Sequence, residues 1–387
     1  SSAASDVYKR QVSASWILSN EEFFKSWRQK VLSNVKFRLS TGLLGRDGSV
    51  QDYSYLLKYI YSPAYGYNVG GVFKPAVIVA TGNYPNTRLS WEKNRDYNVG
   101  IDLGFWDNRF GLTYEYYVRY RTDMLTPAPD YLYPASTGTN GSVPLMNFGK
   151  LKAWGWDLTL THRNSINKFR YDAALTLSLG RDEVIDWGDE SKQLENMRRK
   201  GQSTGTTWMY ESLGLFQTQE EIDNWKLNQD GTYKGKNKTI KPGDIKYKDQ
   251  NDDGVLDDKD LKPFRDSQYP DFTGSLRLGA SYKGFFVSVM FQGVAGFKQY
   301  VSEMYSLENS SLPKFQDYHL TDCWTPDNPN ASFPRVKLAT ARDNNRKKSS
   351  FWVRDNSFVR LKSVSVGYSL PSSVLSKLKL LSLIHIS

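Results

Sequence analysis

The sequence predicts an all-β protein: an antiparallel transmembrane β-barrel with long extracellular loops, of which the chain carries a part. Three observations favour this fold class. Apolar and polar residues alternate along runs of ten residues or more, and short turns alternate with long polar loops. The aromatic content is 14%, with 25 Tyr and 11 Trp. Strands of about 9–11 residues cross a bilayer at a tilt, whereas strands of soluble sandwiches are usually about five or six residues long.

The alternation is clearest between residues 98 and 121. Before the turn Asp107–Arg109, apolar Val99, Ile101 and Leu103 alternate with small or acidic residues. After the turn, one face carries Leu112, Tyr114, Tyr116, Val118 and Tyr120, and the other carries Thr113, Glu115, Tyr117, Arg119 and Arg121. This pattern predicts a hairpin of two long strands, each with an apolar face and a polar face. It recurs at 154–161, 173–179, 275–278, 287–292 and 359–370, where a phase slip at Lys362–Ser363 predicts a β-bulge.

The loops and the aromatic residues fit the same fold class. The short turns Asp107–Arg109 and Asn164–Asn167 contrast with the long polar stretches Leu125–Asn147 and Ile185–Ser212. Short turns at one end and long loops at the other are typical of outer-membrane barrels. Aromatic residues near strand ends predict girdles at the two membrane interfaces. The candidates are Trp91, Tyr97, Trp106, Trp154, Trp187 and Trp352.

Composition excludes several other classes. No run of 18 apolar residues occurs, so the sequence predicts no transmembrane helix. The net charge of +10 is scattered along the chain rather than clustered, so no nucleic-acid partner is expected. The single Cys323 excludes an internal disulfide, and His162, His319 and His385 belong to no metal or nucleophile pattern. No phosphate-binding glycine loop occurs, and no enzyme activity is predicted.

The two ends do not fit their neighbours. Residues 1–11 (SSAASDVYKRQ) and 381–387 (LSLIHIS) resemble translated adapter sequence and are expected to be non-native tails. Residues 12–380 are then a partial barrel. No signal peptide is recognisable, so we expect the chain to be a fragment with its native N-terminus missing.

One acidic segment, residues 249–260, has the spacing of a calcium loop. Asp249, Asn251 and Asp253 stand at positions 1, 3 and 5, and Gly254 at position 6 permits the sharp turn. The carbonyl of Val255 and the side chains of Asp257 and Asp260 complete the predicted ligand set. Position 12 is Asp rather than Glu, and the flanks read as strand and coil rather than paired helices. The alternative is a solvated acidic turn held by local side-chain hydrogen bonds. A calcium ion here would rigidify a long loop.

A series of short motifs spreads in order over residues 91–371. The motifs are Trp91-Glu92 with Asn98–Asp102, Asn147–Gly149 with Gly155–Leu158, Gly214–Gln217 with Glu220–Ile222, Pro242–Tyr247 with Asp249–Asp260, Pro270–Gly274 with Tyr282–Phe285, Trp324–Ala331 with Pro334-Arg335, and Arg360–Lys362 with Gly367–Pro371. This ordered series resembles the SusC/RagA family of TonB-linked outer-membrane proteins. No single motif is specific, and their order carries the resemblance. Asp157 stands where the family usually has Glu.

The resemblance implies a plugged barrel of about 22 strands in the outer membrane of a Gram-negative, Bacteroidota-type bacterium. It implies a TonB-dependent importer that takes up a large nutrient, an oligosaccharide or a peptide. The implied partners are a SusD-like lipoprotein, the TonB complex acting through a plug upstream of this chain, and outer-membrane lipid.

Loop aromatics are candidates for contact with the imported solute, by stacking on sugar faces or against peptide side chains. They are Tyr131, Tyr133, Trp208, Tyr210 and Tyr305. Loop packing is the alternative for each. Two other functions stay open at this point: a soluble, secreted, calcium-stabilised β-protein that binds carbohydrate, and a surface adhesin without transport.

Overall fold

The structure is a computed structural model. It describes residues 9–24, 31–46, 56, 59–81, 85–128, 132, 143–188, 194–230, 237–265, 269–301, 317–337 and 344–371.

Strands dominate these residues, and the two α-helices have five residues each. The strands are β1 (Lys9–Ile17), β2 (Leu32–Arg46), β3 (Tyr59–Val69), β4 (Val72–Thr81), β5 (Glu92–Phe105), β6 (Phe110–Pro127), β7 (Leu145–Ile166), β8 (Phe169–Asp186), β9 (Thr206–Tyr210), β10 (Ser212–Leu215), β11 (Ile245–Tyr247), β12 (Leu261–Arg265), β13 (Phe272–Tyr282), β14 (Phe285–Ala295), β15 (Lys298–Tyr300), β16 (Val353–Asp355) and β17 (Phe358–Tyr368). The helices are α1 (Gln219–Asp223) and α2 (Asp317–Thr321). In the described part of the chain, no helix has the length and apolar character needed to cross a membrane.

Nine strands form one antiparallel sheet in the order β1-β2-β5-β6-β7-β8-β13-β14-β17. Most neighbours in the sheet are consecutive long strands, and the longest, β7, has 22 residues. Eight of the nine strands have 11 residues or more, enough to cross a bilayer at the tilt of a barrel strand. The sheet is open in the described residues, with β1 and β17 at its edges. The architecture is that of a partial barrel, as predicted.

One face of this sheet is an apolar belt that no other described element covers. Directly paired residues point to the same side of a sheet, and the pairs Leu39↔Val99, Val99↔Tyr116, Tyr116↔Trp156 and Trp156↔Leu179 continue across five strands. At the two edges, Val12 is 70% exposed, and Val359 and Val366 are 81% and 74% exposed. A soluble protein would bury such a face. The belt is the lipid-facing surface that the alternation predicts.

The opposite face carries polar and charged side chains that pair with one another, and we call it the polar wall. Arg38 donates from Nε to Asp102 (3.0 Å) and from Nη1 to Glu115 (3.2 Å). Arg119 pairs with Asp96 at 2.6 Å. These cations lie in the middle of the wall and towards its long-loop end. Each forms an ion pair with a carboxylate on another strand of the wall.

The two ends of the sheet differ as expected. One end has tight turns, where Asn108, Asn167 and Lys283 adopt positive φ. The other end carries the long connections, including β9 to β12 and α1 between β8 and β13. The bulge at Lys362 is confirmed, because Leu361 pairs with Phe291 and Ser363 with Met290, which leaves Lys362 as the extra residue.

Some predicted boundaries differ. The turn predicted at Asn164–Asn167 is shorter, because β7 continues to Ile166. The predicted loop Ile185–Ser212 contains a short strand, β9, which pairs with β12. Residues 9–11 of the predicted N-terminal tail are the first residues of β1. Residues 1–8 and 381–387 lie outside the described residues, so the assignment of the tails stays a prediction.

The long loops fold into a core of their own at one end of the sheet. This loop cluster consists of Leu215, Leu227, Ile245, Tyr247, Leu256, Cys323, Phe333 and Trp352. Trp352 is fully buried there, and its Nε1 donates to the carbonyl of Asn345 at 3.2 Å. The prediction that Trp352 belongs to a membrane girdle is therefore wrong, whereas Trp91 and Trp106 are exposed near strand ends.

Candidate functional site

A cavity of about 820 Å³ lies where the polar wall meets the folded loops. We call it the wall cavity. The wall contributes Tyr117, Gly180 and Asp182, and the loops contribute Tyr269 and Tyr300 together with residues 203–207. Aromatic rings combined with a few charged groups are typical of sites that bind organic solutes. The volume lies within the range of about 300–1,000 Å³ usual for ligand pockets.

Tyr117 lies across two glycines of the wall. Its hydroxyl is 2.6 Å from the position that a methyl group at Gly155 would take, and 3.2 Å from that position at Gly180. Gly155 and Gly180 pair directly between β7 and β8. The absence of side chains at these two positions lets the Tyr117 ring reach over the neighbouring strands into the cavity.

A chain of charges borders the cavity. The Asp182 carboxylate accepts hydrogen bonds from the Ser203 hydroxyl (2.6 Å) and the Thr204 backbone N–H (2.7 Å), which ties the loop to β8. Arg265 pairs with Asp271 at 2.6 Å and lies 3.8 Å from Asp182. The buried Arg265 Nε and Asp271 Oδ1 have no hydrogen-bond partner in the described residues. Arg265 lines the cavity, so a polar solute could satisfy its Nε.

The loop cluster is held by a buried carboxylate, Asp244, which is fully inaccessible to solvent. It accepts from Arg335 through both oxygens (2.9 and 3.2 Å), from Lys337 Nζ (3.1 Å) and from Asn345 Nδ2 (3.1 Å). The Lys241 backbone N–H donates to it as well, at 3.0 Å. These bonds join segments about a hundred residues apart in sequence, so the loop cluster is a specific structure rather than a set of independent loops.

The predicted solute contacts lie elsewhere or outside the described residues. Trp208 and Tyr210 are on β9 but do not line the wall cavity, whereas Thr206 and Thr207 of the same strand do. The Trp208 Nε1 donates to the Asn196 carbonyl at 2.9 Å. Tyr131, Tyr133 and Tyr305 are not among the described residues. Their contact with solute stays a prediction, as does that of Trp208 and Tyr210.

Tyr210 instead packs against the loop cluster. Its ring centroid lies 5.8 Å from that of Tyr247, and Lys347 Nζ lies 5.8 Å from it. Burial, with added repulsion from Asp258, raises the pKa of Tyr210 to about 12. The hydroxyl is therefore neutral at physiological pH.

The sequence gives little sign of the aromatics that do line the cavity. Tyr117 is visible only as a tyrosine on the polar face of β6, and Tyr269 and Tyr300 precede and follow β13 and β14 without a distinctive motif. The one available signal is that Tyr117 lies close to the Gly155–Gly180 pair of the neighbouring strands. This signal can be used only when the strand register is known.

The predicted calcium loop forms a tight turn between β11 and β12, with Gly254 at φ +78°. The Asp249 Oδ2 accepts from the Gly254 N–H at 2.8 Å, and the Asp253 Oδ1 accepts from the Val255 N–H at 2.9 Å. The flanks are a strand and a 3-10 helix (Asp258–Asp260) that leads into β12. In the described residues, no three His, Cys, Asp or Glu side chains are arranged as a metal site.

Asp260 differs from the other predicted ligands, because it is fully buried. Its two oxygens accept from the backbone N–H groups of Gln250 (2.8 Å) and Asp257 (2.9 Å). Burial raises its pKa, and the charges of Asp249 and Asp253 add to that effect. The pKa of the exposed Asp253 is lowered instead, mainly because the Val255 N–H donates to it.

One carboxylate oxygen of the loop is unsatisfied, and two other carboxylates lie near a cation. Asp249 Oδ1 is buried and has no hydrogen-bond partner in the described residues. Lys259 Nζ lies 3.5 Å from Asp253 and 3.7 Å from Asp257, so these carboxylates already attract a positive charge. Calcium binding by Asp249, Asn251, Asp253, Asp257 and the Val255 carbonyl stays a prediction, and both oxygens of Asp260, the sixth predicted ligand, are occupied by backbone N–H groups.

Comparison with known proteins agrees with this architecture. The family model described as "TonB dependent receptor-like, beta-barrel" matches residues 53–323. "TonB-dependent receptor P3" of Formosa agariphila is 26% identical over 94% of this chain and 35% of its own length. "TonB-dependent receptor SusC" of Bacteroides thetaiotaomicron is 23% identical over 92% of this chain and 33% of its own length. The chain thus spans about a third of the length of these relatives.

Solved structures show the same fold. The structure described as the RagAB peptide transporter superposes with a TM-score of 0.65 and 21% identity, and the match covers 95% of this chain and 38% of the other. The RagAB peptide importer in its closed-closed state gives a TM-score of 0.66, also at 21% identity, over 95% of this chain and 37% of the other.

Proposed function

Because the chain belongs to the TonB-dependent receptor-like β-barrel family, we propose that it forms part of an outer-membrane importer for a large nutrient, an oligosaccharide or a peptide. The observation that carries this proposal is the two-faced sheet. It has an uncovered apolar belt on one side and a charged wall with a solute-sized cavity on the other. The soluble carbohydrate-binding alternative has no support in the family, the belt or the strand lengths.

The proposed importer binds its solute in the wall cavity. Tyr117, Tyr269 and Tyr300 contribute aromatic rings to its lining, and Arg265 contributes an Nε that lacks a hydrogen-bond partner in the described residues. A glycan could stack on the rings, and a peptide could use both the rings and the charges. The solute reaches the cavity from the long-loop side, where a SusD-like lipoprotein would cover it.

Energy would come from the TonB complex through a plug, which the resemblance places upstream of this chain. The location is the outer membrane of a Bacteroidota-type bacterium. Relatives named TonB-dependent receptor in that group support the location. Displacement of the plug would open the passage after solute and lid have closed on the site.

Uptake by cells that carry the full reading frame tests the proposal. Tyr117→Ala removes a ring from the cavity, and Tyr116→Ala removes the neighbouring ring from the lipid side as a matched control. One aromatic contact of about 1 kcal/mol corresponds to about a fivefold loss of affinity. We expect the solute concentration that gives half-maximal uptake to rise by about that factor for Tyr117→Ala alone.

Labelled oligosaccharides and labelled peptides, supplied separately, distinguish the two classes of solute. Heat-modifiable migration on gels verifies that both variants are folded in the membrane. Equal effects of the two variants, or recovery of the protein in the soluble fraction without detergent, would contradict the proposal.

The calcium loop would stabilise the loops beside the cavity. Calorimetric titration of the purified full-length protein should show a calcium-binding heat that Asp249→Ala abolishes. Asp258→Ala is the control, since it removes the same charge from the same loop at a position that is not a predicted ligand. Equal heats for the wild type and both variants would remove calcium from the account.

A further inference from the structure

The apolar belt ends in basic side chains on the long-loop side. Arg95 of β5 pairs directly with Tyr120 of β6, and Tyr120 pairs with Lys152 of β7. Directly paired residues point to the same side of a sheet, and so do residues two apart along a strand. Arg95 therefore lies on the side of Tyr97 and Val99, which is the belt side. We call Arg95, Tyr120 and Lys152 the basic row.

The basic row lies next to the rings expected at the membrane interface. The adjacent row towards the middle of the sheet is Tyr97, Val118 and Trp154, and the sequence predicts Tyr97 and Trp154 as girdle residues. The rings of Tyr97 and Tyr120 meet edge to face, with centroids 6.4 Å apart. Tyr and Trp rings sit at headgroup level, and two residues of a strand span about 7 Å. The basic row therefore extends past these rings towards the headgroups on the long-loop side.

The cations of this row have no counter-charge in the described part of the chain. There, no carboxylate lies within ion-pair distance of Arg95 or Lys152, and the Tyr120 hydroxyl makes no hydrogen bond. On the polar wall of the same strands, by contrast, Arg119 pairs with Asp96 at 2.6 Å. The wall neutralises its own cations, whereas the belt side leaves these two for an external anion.

Two neighbouring charges set the limits of the row. Lys93, beyond Arg95 on the same side of β5, is paired with Asp123 at 2.8 Å. Glu183 of β8 lies directly opposite Lys152 on the belt side. A carboxylate repels an anion, so the site for an anion lies on the other side of Lys152, above Tyr120.

The spacing of the row fits one phosphate group. Neighbouring strands lie about 4.8 Å apart, so the backbones of Arg95 and Lys152 are about 10 Å apart with Tyr120 between them. The two long side chains can converge above the tyrosine, and the Tyr120 hydroxyl can donate a further hydrogen bond. Guanidinium and ammonium groups both bind phosphate oxygens through charge-assisted hydrogen bonds.

The short-turn end of the belt has a different chemistry. Its paired rows are rich in aromatic residues and contain neither Lys nor Arg. They are Phe105, Phe110 and His162 in one part of the sheet, and Phe169, Tyr282, Phe285 and Tyr368 in the other. In outer-membrane barrels the short turns are periplasmic and the long loops extracellular. The basic row therefore faces the outer leaflet.

We propose that the basic row binds the phosphate of an outer-leaflet lipid headgroup on the lipid-facing side of the barrel. Arg95 and Lys152 pair with the phosphate oxygens, Tyr120 donates from its hydroxyl, and the acyl chains lie along the belt. The site rests on the proposed membrane location and is independent of the imported solute. Recovery of the protein without detergent would remove both proposals, whereas lipid binding that ignores the basic row would remove this one alone.

Native mass spectrometry of the full-length protein in detergent tests the site. The probe is dioleoyl phosphatidic acid, whose headgroup is a bare phosphate. Dioleoyl phosphatidylcholine, with the same acyl chains and no net charge, is the reference lipid. We expect phosphatidic acid to form the first lipid adduct at a lower concentration than phosphatidylcholine. Arg95→Gln and Lys152→Gln should each weaken that adduct by about fivefold, and the double variant by about 25-fold.

Arg119→Gln is the matched control, because it removes the same charge one residue from Tyr120 but on the polar wall. It should change the affinity for phosphatidic acid by less than about twofold. Glu183→Gln should strengthen binding, since it removes a repelling charge, and misfolding of a variant cannot produce such a gain. Inorganic phosphate at the concentration of the lipid should not displace it.

Four results would overturn the proposal. They are equal affinity for the two lipids, an equal loss in Arg119→Gln and in the double variant, weaker binding in Glu183→Gln, and displacement of the lipid by equimolar inorganic phosphate. The last result would identify the ligand as a soluble anion instead of a headgroup.

Discussion

Replacing Asp244 with Ala should unfold the loop cluster locally while the barrel strands stay intact. The carboxylate is fully buried and accepts from Arg335, Lys337 and Asn345. The side chains of Arg335 and Lys337 are only 22% and 18% exposed. Without Asp244, Arg335 loses its counter-charge in a place where water cannot fully replace it. Removal of one partner from a buried ion pair costs about 3–5 kcal/mol.

The backbone N–H groups of Ile245 and Tyr247 report this change directly. They donate to Asn345 Oδ1 (2.9 Å) and Gln229 Oε1 (2.8 Å) inside the cluster, so they exchange with solvent only when the cluster opens. A loss of 3–5 kcal/mol accelerates exchange by about two to three and a half orders of magnitude. Hydrogen exchange measured by mass spectrometry on the full-length protein gives this value for each segment.

The matched control is Glu195→Ala, because that side chain is 91% exposed and its nearest cation is 4.0 Å away. Such a surface change is expected to alter stability by less than about 0.5 kcal/mol. The double variant Asp244→Ala with Arg335→Ala should lose less than the sum of the two single losses, since it removes both members of one pair. Exchange in Asp244→Ala within a factor of about three of the control would refute the view that this carboxylate organises the loops.

Three further predictions follow from the packing and charges. Gly155→Ala should destabilise the barrel by about 1–3 kcal/mol, because its methyl group would lie 2.1 Å from the Leu179 carbonyl oxygen. The methyl group of Gly180→Ala meets only the flexible Tyr117 hydroxyl, at 3.2 Å. Heat-modifiable gel shifts at rising temperature should therefore show Gly155→Ala unfolding at a lower temperature than Gly180→Ala. Burial raises the pKa of Asp260, so the folded loop binds the carboxyl proton more tightly than the unfolded loop does. The stability of the loop is therefore greatest in acid. It falls as the pH rises from the ordinary carboxyl pKa through the raised pKa of the folded loop. Exchange of the loop amides, corrected for intrinsic rates, should be slower in mild acid than at neutral pH, and calcium should remove the difference. The 387-residue chain expressed by itself should aggregate, because the edge strands β1 and β17 expose backbone groups that lipid does not satisfy; monodisperse, protease-resistant material after detergent refolding would contradict this.

The barrel strands could be predicted from sequence because their pattern is local. Alternation between residues 98 and 121 depends only on the two-residue period of a strand, and it places Tyr116 on the belt and Tyr117 on the wall without knowledge of the rest of the chain. The bulge at Lys362 is likewise visible as a slip in the same period.

The loops could not be predicted in this way, because distant contacts decide where their side chains lie. Trp352 looks like a girdle residue next to a strand, yet Asn345 and the loop cluster enclose it. The position of Tyr210 against Tyr247 depends on the pairing of β9 with β12 and β10 with β11, across more than thirty residues of chain. Short-range patterns contain no information about such contacts.

Spin labels along β6 test the central claim that one face of the sheet meets lipid and the other an aqueous lumen. Single cysteines at each position from Leu112 to Arg119 are labelled in a Cys323→Ala background of the full-length protein, reconstituted in lipid vesicles. Collisions with oxygen, which concentrates in lipid, should peak at 112, 114, 116 and 118, and collisions with a water-soluble nickel complex should peak at the positions between. The same low accessibility to both reagents at every position would place the strand between two packed layers and contradict the membrane barrel.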